Sequence, residues 1–148
     1  TFYYTNSTLA TVDGSSGGGI PSWPVLRNGN SGVKVTALQY LLRHRGYSLT
    51  VDGAFGPGTE SVVRSFQSAN GLTADGIVGA NTWSKLVVTV RLNDNNNAVR
   101  AIQVLLNIQN TGLFGSTTDQ VVRQFQQSNG LTVDGIVGPQ TWQAALGR

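Results

Sequence analysis

The sequence contains no cysteine and no methionine, and its only histidine is His44. The lack of cysteine excludes a disulfide framework, a thiolate metal site and a thiol nucleophile. Catalytic zinc normally needs roughly three protein ligands, which His44 cannot supply by itself, and no Ser–His–Asp set is possible without it. We therefore expect no metal, no cofactor and no catalytic site in this chain.

Charged side chains are also scarce, at 11% of the 148 residues. The net charge of +3 allows a weak attraction to an anionic polymer, but the basic residues are scattered and form no stripe of phosphate clamps. No stretch approaches about 18 consecutive apolar residues, the length of a membrane-spanning helix. We therefore expect neither a nucleic-acid partner nor a membrane. Abundant Gly, Asn, Gln, Ser and Thr indicate an uncharged, hydrogen-bonding surface, which suits a polysaccharide.

One stretch is written twice, as NGLTADGIVGANTW at 70–83 and as NGLTVDGIVGPQTW at 129–142. A self-match at a fixed period of about 60 residues indicates two copies of one structural unit. We expect an N-terminal arm or linker over 1–22, a first repeat over 23–88 and a second over 89–148. Each copy is near the lower size limit for an independent core. Because the apolar connection at 87–90 is short, we expect the copies to pack together or to sit at a restricted angle.

The spacing of apolar residues predicts an all-α fold with three helices in each copy. In the first copy Val35, Leu38 and Leu42 recur at helical spacing. A second helix is predicted to open at Pro57 and to stop at Asn70 and Gly71, and a third passes through Trp83. The second copy follows the same pattern, and short extended turns join the helices.

This ordered pattern resembles the peptidoglycan-binding domain that lies beside the catalytic domains of many cell-wall hydrolases. The resemblance covers about 26–148 and is strong because the whole set is written twice. Its first-copy residues include Gln39, Asp52-Gly53, Phe55-Gly56-Pro57, Thr59, Phe66-Gln67, Gly71-Leu72, Asp75-Gly76, Val78-Gly79 and Thr82-Trp83. Its second-copy residues include Gln103, Phe114-Gly115, Thr118, Phe125-Gln126, Gly130-Leu131, Asp134-Gly135, Val137-Gly138-Pro139 and Thr141-Trp142.

The resemblance implies a compact three-helix fold, a non-catalytic role and binding to peptidoglycan or a related wall glycan. We further expect an exported, wall-associated monomer that targets a wall-active enzyme, either covalently linked to it in a longer chain or as a cleaved fragment. A similar fold occurs in the pro-segments of some metalloproteases, where it does not bind peptidoglycan. A regulatory or pro-segment-like protein-interaction module is therefore the alternative, because a fold alone does not define its ligand.

Binding of a sugar requires an apolar floor with a few placed polar groups. Aromatic side chains stack on the apolar faces of sugar rings, while amides, carboxylates and arginines bond to their hydroxyl and acetamido groups. Tyr40 lies off the Leu38/Leu42 stripe, so we expect it to be partly exposed. The predicted ligand-binding residues are Tyr40, Arg43, Tyr47, Asp52, Phe55, Trp83 and Trp142. Trp83 and Trp142 are expected to lie in the core with one edge exposed.

The two copies differ before their shared Phe-Gly pair, where about five residues of copy one have no match in copy two. We interpret copy two as lacking an equivalent of 51–53. Because copy one keeps these residues and Tyr40, whose counterpart Val104 cannot form hydrogen bonds, we expect copy one to be the better binder. If Asp52 only caps a turn, the difference merely shortens a loop. Asp75 and Asp134 are predicted to cap turns rather than to catalyse hydrolysis. The other recurring residues are predicted to satisfy loop backbone groups (Gln39, Gln67, Gln103, Gln126), to fill the core (Phe66, Phe125) or to be solvated (Arg64, Arg123).

Overall fold

The computed structural model describes residues 21–148, so most of the predicted N-terminal arm lies outside the described residues. Within 21–148 the secondary structure consists of helices and isolated backbone bridges, without named strands. The predicted all-α fold with two three-helix repeats is therefore confirmed. Its helices are α1 (Val33–His44), α2 (Pro57–Ala69), α3 (Ala80–Leu86), α4 (Asn97–Leu105), α5 (Ser116–Ser128) and α6 (Pro139–Gly147).

The first two helices of each repeat end in the same way. A residue with positive φ follows the helix, and the next backbone N–H returns to the carbonyl five residues earlier. This closure satisfies carbonyls that the end of a helix would otherwise leave unpaired. The positive-φ residues are Gly46, Gly71, Asn107 and Gly130.

Two fully buried tryptophans hold the third helix of each repeat against the segment before its first helix. The indole N–H of Trp83 donates to the carbonyl of Pro24 at 2.8 Å, and that of Trp142 donates to the carbonyl of Val88 at 2.6 Å. Backbone bridges between Leu26 and Val78 and between Val90 and Val137 reinforce the same connection. Each repeat is thus closed on itself by its own entry segment.

The repeats pack against each other, as the short connection predicts. Helices α1 and α4 form the most extensive helix–helix contact of the described chain. At its edge the Asn110 side-chain amide donates to the Tyr40 hydroxyl at 2.8 Å. The entry segment also contacts the last helix, because the Gln143 amide donates to the carbonyl of Pro21 at 3.0 Å. The two repeats therefore share one interface.

This shared interface predicts that the repeats depend on each other for stability. Segments 21–87 and 88–148 each keep the carbonyl to which their tryptophan donates. Expressed separately, they would expose the apolar face of α1 or α4 to water, which costs free energy in proportion to the exposed area. We expect each segment to unfold at a much lower urea concentration than the full chain, measured by circular dichroism. Equimolar mixing should restore part of the loss, whereas two segments as stable as the full chain would contradict the prediction.

Candidate functional site

A buried glutamine organises each of four similar units in the chain. Each unit consists of a helix carrying the glutamine, a turn, and a threonine in the first turn of the next helix. The glutamine Nε2 lies 3.0–3.2 Å from the threonine Oγ1 in every unit. The pairs are Gln39 with Thr59, Gln67 with Thr82, Gln103 with Thr118, and Gln126 with Thr141, and all these side chains are buried.

The amide of each glutamine also holds the backbone of the turn. In the unit of Gln67, Nε2 donates to the carbonyl of Ile77 and to Asp75 Oδ1, while Oε1 accepts from the N–H of Gly76 at 3.0 Å. Gln126 makes the same set of bonds to its own turn. The prediction that these glutamines satisfy loop backbone groups is therefore confirmed.

Asp75 and Asp134 cap the turns, as predicted. Asp75 Oδ1 accepts from the N–H of Ile77 at 3.0 Å, and Asp134 Oδ1 accepts from the N–H of Ile136 at 2.9 Å. The bond from the Ile77 N–H is the main cause that holds the pKa of Asp75 below its ordinary value. A carboxylate with a lowered pKa stays ionised at neutral pH.

The glycine after each of these aspartates allows the close approach of the preceding helix. Gly76 and Gly135 have φ of +74° and +73°, which side chains rarely adopt. A Cβ at Gly76 would lie 2.9 Å from Glu60 Cγ, and one at Gly135 would lie 2.6 Å from Asp119 Oδ1. Both glycines are therefore favoured by their positive φ, and a Cβ at either position would also force neighbouring side chains of α2 or α5 to shift.

The interpretation that copy two lacks an equivalent of Asp52 and Gly53 was wrong. Gln39 Oε1 accepts from the N–H groups of Asp52 and Gly53, and Gln103 Oε1 accepts from those of Thr111 and Gly112. The Thr111 hydroxyl replaces the Asp52 carboxylate in capping the turn. One premise for a stronger first copy therefore falls, and the difference in binding stays a prediction.

The length difference is an extension of the first unit. Glutamine and threonine are 20 residues apart in the first unit and 15 in each of the other three. Part of the extra length continues the helix, since α1 has 12 residues and α4 has 9. The rest lengthens the loop that follows α1. The Gln–Thr spacing of 15 that recurs in three units is the sequence signal that would have aligned those three and identified the first unit as the longer one.

The three units with the 15-residue spacing each form an open cleft beside their turn. The cleft volumes are about 350 Å³ at Gln67, about 290 Å³ at Gln103 and about 450 Å³ at Gln126. Equivalent positions line all three, namely an apolar residue after the helix, the turn cap, a second apolar residue, and a polar residue beside the threonine. In this order they are Leu72, Asp75, Ile77 and Asn81 in the cleft at Gln67. They are Ile108, Thr111, Leu113 and Thr117 in the cleft at Gln103. They are Leu131, Asp134, Ile136 and Gln140 in the cleft at Gln126.

The structure does not bring the predicted ligand-binding residues together on one surface. Phe55, Trp83 and Trp142 are buried in the core, and the expected exposed edge of each tryptophan is absent because Trp83 and Trp142 are 0% exposed. These three residues are corrected to core positions, since an apolar ring gains more from burial than from a water-facing edge.

The remaining predicted residues belong to the first unit or to the repeat interface. Tyr40 is half-buried, as expected, and bonds to Asn110. Tyr47 packs edge-on against Phe66 with ring centroids 6.2 Å apart. Arg43 is exposed at the end of α1, and Asp52 is exposed in its turn. Their part in binding stays a prediction.

The two recurring arginines are exposed, as predicted, and each also pairs with an acid one helical turn earlier. Arg64 lies 2.8 Å from Glu60 and also donates to the carbonyl of Ala74 at 2.7 Å. Arg123 lies 3.2 Å from Asp119. Exposed pairs of this kind contribute little to stability, because water screens them.

Two other features, a metal site and a membrane-spanning helix, concern the described residues 21–148. No group of three or more His, Cys, Asp or Glu side chains in this range is placed to hold a metal ion. None of the helices in the same range is long and apolar enough to cross a membrane.

A family model described as "Putative peptidoglycan binding domain" matches the chain twice, at 31–86 and at 95–145. These segments cover more than half of the sequence and coincide with the two three-helix repeats. The chain belongs to the peptidoglycan-binding domain family. The predicted resemblance is thereby confirmed.

Relatives of these peptidoglycan-binding repeats occur in cell-wall enzymes. A zinc D-Ala-D-Ala carboxypeptidase of Streptomyces albus G is 41% identical over 88 residues, which are 55% of this chain and 34% of that protein. A spore cortex-lytic enzyme of Bacillus cereus is 45% identical over 64 residues, which are 43% of this chain and 25% of that protein. The chain thus matches about a third or less of the length of either relative.

Solved structures of similar sequence include an N-terminal domain and a peptidoglycan-binding protein. The N-terminal domain of SleB is 45% identical and aligns over 45% of this chain and 92% of its own, with a TM-score of 0.43. A peptidoglycan-binding protein from Clostridioides difficile, solved with glutamine hydroxamate, is 49% identical over 43% of this chain and 40% of its own, with a TM-score of 0.42.

The first prediction from this geometry concerns the buried glutamines. Gln126→Ala leaves two turn N–H groups and the Thr141 hydroxyl without their partner, and each unpaired buried group costs about 1–3 kcal/mol. We expect a loss of at least about 2 kcal/mol in the free energy of unfolding, measured with urea. The matched control is Gln127→Ala, at an exposed position, which should change stability by less than about 0.5 kcal/mol. Equal effects of the two substitutions would refute the assigned role.

A second prediction concerns acid stability. Backbone and side-chain hydrogen bonds lower the pKa of Asp52 and Asp75, and the Arg64 bond lowers that of Glu60, so the folded state favours all three ions. The stability that these ions contribute is fully present above their ordinary pKa values of 3.8 and 4.5. It is lost as the pH falls through their lowered pKa values. Urea midpoints should therefore drop steeply below about pH 4.

Protonation of His44 should cause a separate loss of stability at higher pH than the carboxylates do. Burial, and then the charge of Arg45, lower its pKa from 6.5, so its contribution is also lost as the pH falls. Asp75→Asn keeps an oxygen for the Ile77 N–H but cannot titrate. In a plot of the urea midpoint against pH, this substitution should reduce the slope below about pH 4. It should leave the loss of stability caused by protonation of His44 unchanged. A parallel downward shift of the whole curve, without flattening, would contradict the assignment.

Proposed function

We propose that this chain binds bacterial cell-wall peptidoglycan without cleaving it, through the three equivalent clefts beside Gln67, Gln103 and Gln126. The observation that carries the proposal is the repetition of one cleft in a chain of the peptidoglycan-binding family. The volumes fall at or near the lower end of the range for small-ligand sites, which begins at about 300 Å³. Each cleft is thus sized for one group of the polymer.

The lining of the clefts matches the chemistry of a wall glycan and its stem peptide. Leu72 and Ile77 offer an apolar floor for a sugar face or an alanine methyl group, and Asn81 offers an amide at the rim. The Asp75 carboxylate, ionised at neutral pH, accepts hydrogen bonds from hydroxyl or amine groups. In the last cleft Leu131, Ile136 and Gln140 take the corresponding roles.

The carboxylates favour binding over hydrolysis. A glycosidase needs a carboxylic acid with a raised pKa as proton donor, together with a second carboxylate. Asp75 has a lowered pKa instead, and its Oδ1 is occupied by the N–H of Ile77 and the amide of Gln67. A group held in this way stabilises a turn and accepts hydrogen bonds, but it does not deliver a proton.

Several weak sites on one rigid body support a role in anchoring. Simultaneous engagement of linked sites raises the overall affinity through effective concentration, provided that the polymer presents its groups at a compatible spacing. The carboxypeptidase and the cortex-lytic enzyme similar to this chain are enzymes of cell-wall material. We therefore infer that the repeats hold a covalently linked catalytic domain at the cell wall, outside the cell. We further infer that the chain acts as a monomer.

Retention by insoluble peptidoglycan tests the proposal. The double variant Asn81→Ala/Gln140→Ala removes the rim amide from two clefts at equivalent, exposed positions. Because one hydrogen bond contributes about 0.5–1.5 kcal/mol net, we expect a three- to tenfold weaker affinity in a co-sedimentation isotherm. The matched control, Ser68→Ala/Gln127→Ala, changes exposed polar residues of α2 and α5 outside the clefts and should bind like the unmodified chain.

Equal retention of both double variants would place the ligand elsewhere. Absence of retention by any wall preparation, together with a tight protein ligand, would favour the pro-segment-like alternative. The supernatant should contain no newly released reducing ends or free amines after incubation, since the proposed role is non-catalytic. Loss of turbidity of a wall suspension caused by pure protein would overturn that part of the proposal.

A further inference from the structure

Phe66 in repeat one is covered by an aromatic side chain of the same repeat. Tyr47 follows the positive-φ residue that ends α1, and its ring meets the Phe66 ring at an interplanar angle of 75°. Phe66 is consequently only 2% exposed. Tyr47 reaches this position because α1 and its loop carry the extension that the other units lack.

Phe125 is the equivalent residue in repeat two. It is 9% exposed, and the guanidinium of Arg148, rather than an aromatic ring, lies over it. Helix α4 ends about one turn earlier, so the corresponding residue, Ile108, lines the cleft beside Gln103 instead. An open cleft of about 410 Å³ remains over Phe125. Leu106, Val121 and Phe125 form its apolar part, and Gln124, Asn129 and Arg148 form its polar rim.

We propose that this cleft receives a tyrosine or phenylalanine side chain of a partner polypeptide, with an acidic residue of that partner paired to Arg148. This inference goes beyond the proposed wall binding and does not rest on it, because the cleft lies between α4 and α5 and shares no lining residue with the three turn clefts.

The choice of an aromatic occupant follows from the first repeat. Phe66 and Phe125 occupy the same position of the same unit, and in the first repeat the chain itself places a phenol ring there. Edge-to-face contacts of this kind favour an aromatic ring over an aliphatic group of equal area. The rim amides of Gln124 and Asn129 can bond to a phenol hydroxyl.

The choice of an acidic neighbour follows from Arg148. Its guanidinium carbon lies 5.3 Å from the centroid of the Phe125 ring, which places a fixed positive charge at the mouth of the cleft. Arg148 belongs to neither ion pair found within residues 21–148. The chain's net charge of +3 also favours an acidic partner.

The first experiment maps a minimal probe on the full chain by ¹⁵N–¹H correlation spectra. Titration with p-cresol, which represents a tyrosine side chain, should shift the amide signals of Val121, Phe125 and Arg148, with a Kd on the order of millimolar. Titration with N-acetylglucosamine in a separate arm should leave these signals in place. If p-cresol causes no localised shift, the proposal is overturned. If only the sugar shifts these signals, the occupant of the cleft is a glycan and not a polypeptide.

The first repeat supplies an internal control. Tyr47→Ala removes the built-in cover and should create a second p-cresol site, seen as new shifts at Val62 and Phe66 with the site at Phe125 unchanged. Failure to create this site in a folded variant would refute the equivalence of the two positions. The free energy of unfolding of the variant, measured with urea, verifies that it is folded.

Two peptides test the acidic neighbour. Acetyl-Glu-Tyr-Glu-amide should bind about threefold or more tightly than acetyl-Lys-Tyr-Lys-amide at low salt, because only the first can pair with Arg148. Arg148→Gln should abolish this difference, whereas the control Arg91→Gln, which lowers the net charge equally, should preserve most of it. Equal losses in both variants would show that only overall charge acts, and would overturn the assigned role of Arg148.

Discussion

The buried glutamine amide is the constraint on which the rest of this structure depends. Each one lies inside an otherwise apolar helix face, where an unpaired amide would be costly. Its partners are backbone groups of one turn and the hydroxyl of one threonine, so satisfying the amide determines the path of the turn and the start of the next helix. At Gln67 and Gln126 the same condition fixes the aspartate cap and the glycine that follows it. Helix, turn and helix are therefore specified together.

The same constraint shapes the clefts through which we propose that the chain binds peptidoglycan. The turns held by the glutamines form walls of the clefts, and the hydrogen bonds that hold them lie within the chain itself. The N–H of Ile77 in one of these turns lowers the pKa of Asp75, whereas a general acid needs a raised pKa. The packing of α1 on α4 joins the two repeats through one interface.

The difference between the repeats illustrates how a local change in length acts at a distance. The first unit is the one extended relative to the other three, and its extra residues lengthen α1 and carry Tyr47 onto Phe66. The second repeat lacks these extra residues. It has one cleft beside Gln103 and a second cleft that Phe125 lines. Two repeats with the same core thus present different surfaces.

The sequence by itself determined the repeat, the helices and the family, because these depend on local spacing. Pro57, Gly71 and Pro139 mark helix ends through their own backbone preferences, and recurring Phe66 and Phe125 mark the core. Only the tertiary structure decided which residues meet across the chain. The alignment by sequence missed that Thr111 replaces Asp52, since a hydroxyl and a carboxylate differ chemically but accept the same backbone hydrogen bond. It also gave the tryptophans an exposed edge, because the carbonyls of Pro24 and Val88 that bury their N–H groups lie more than 50 residues away in sequence.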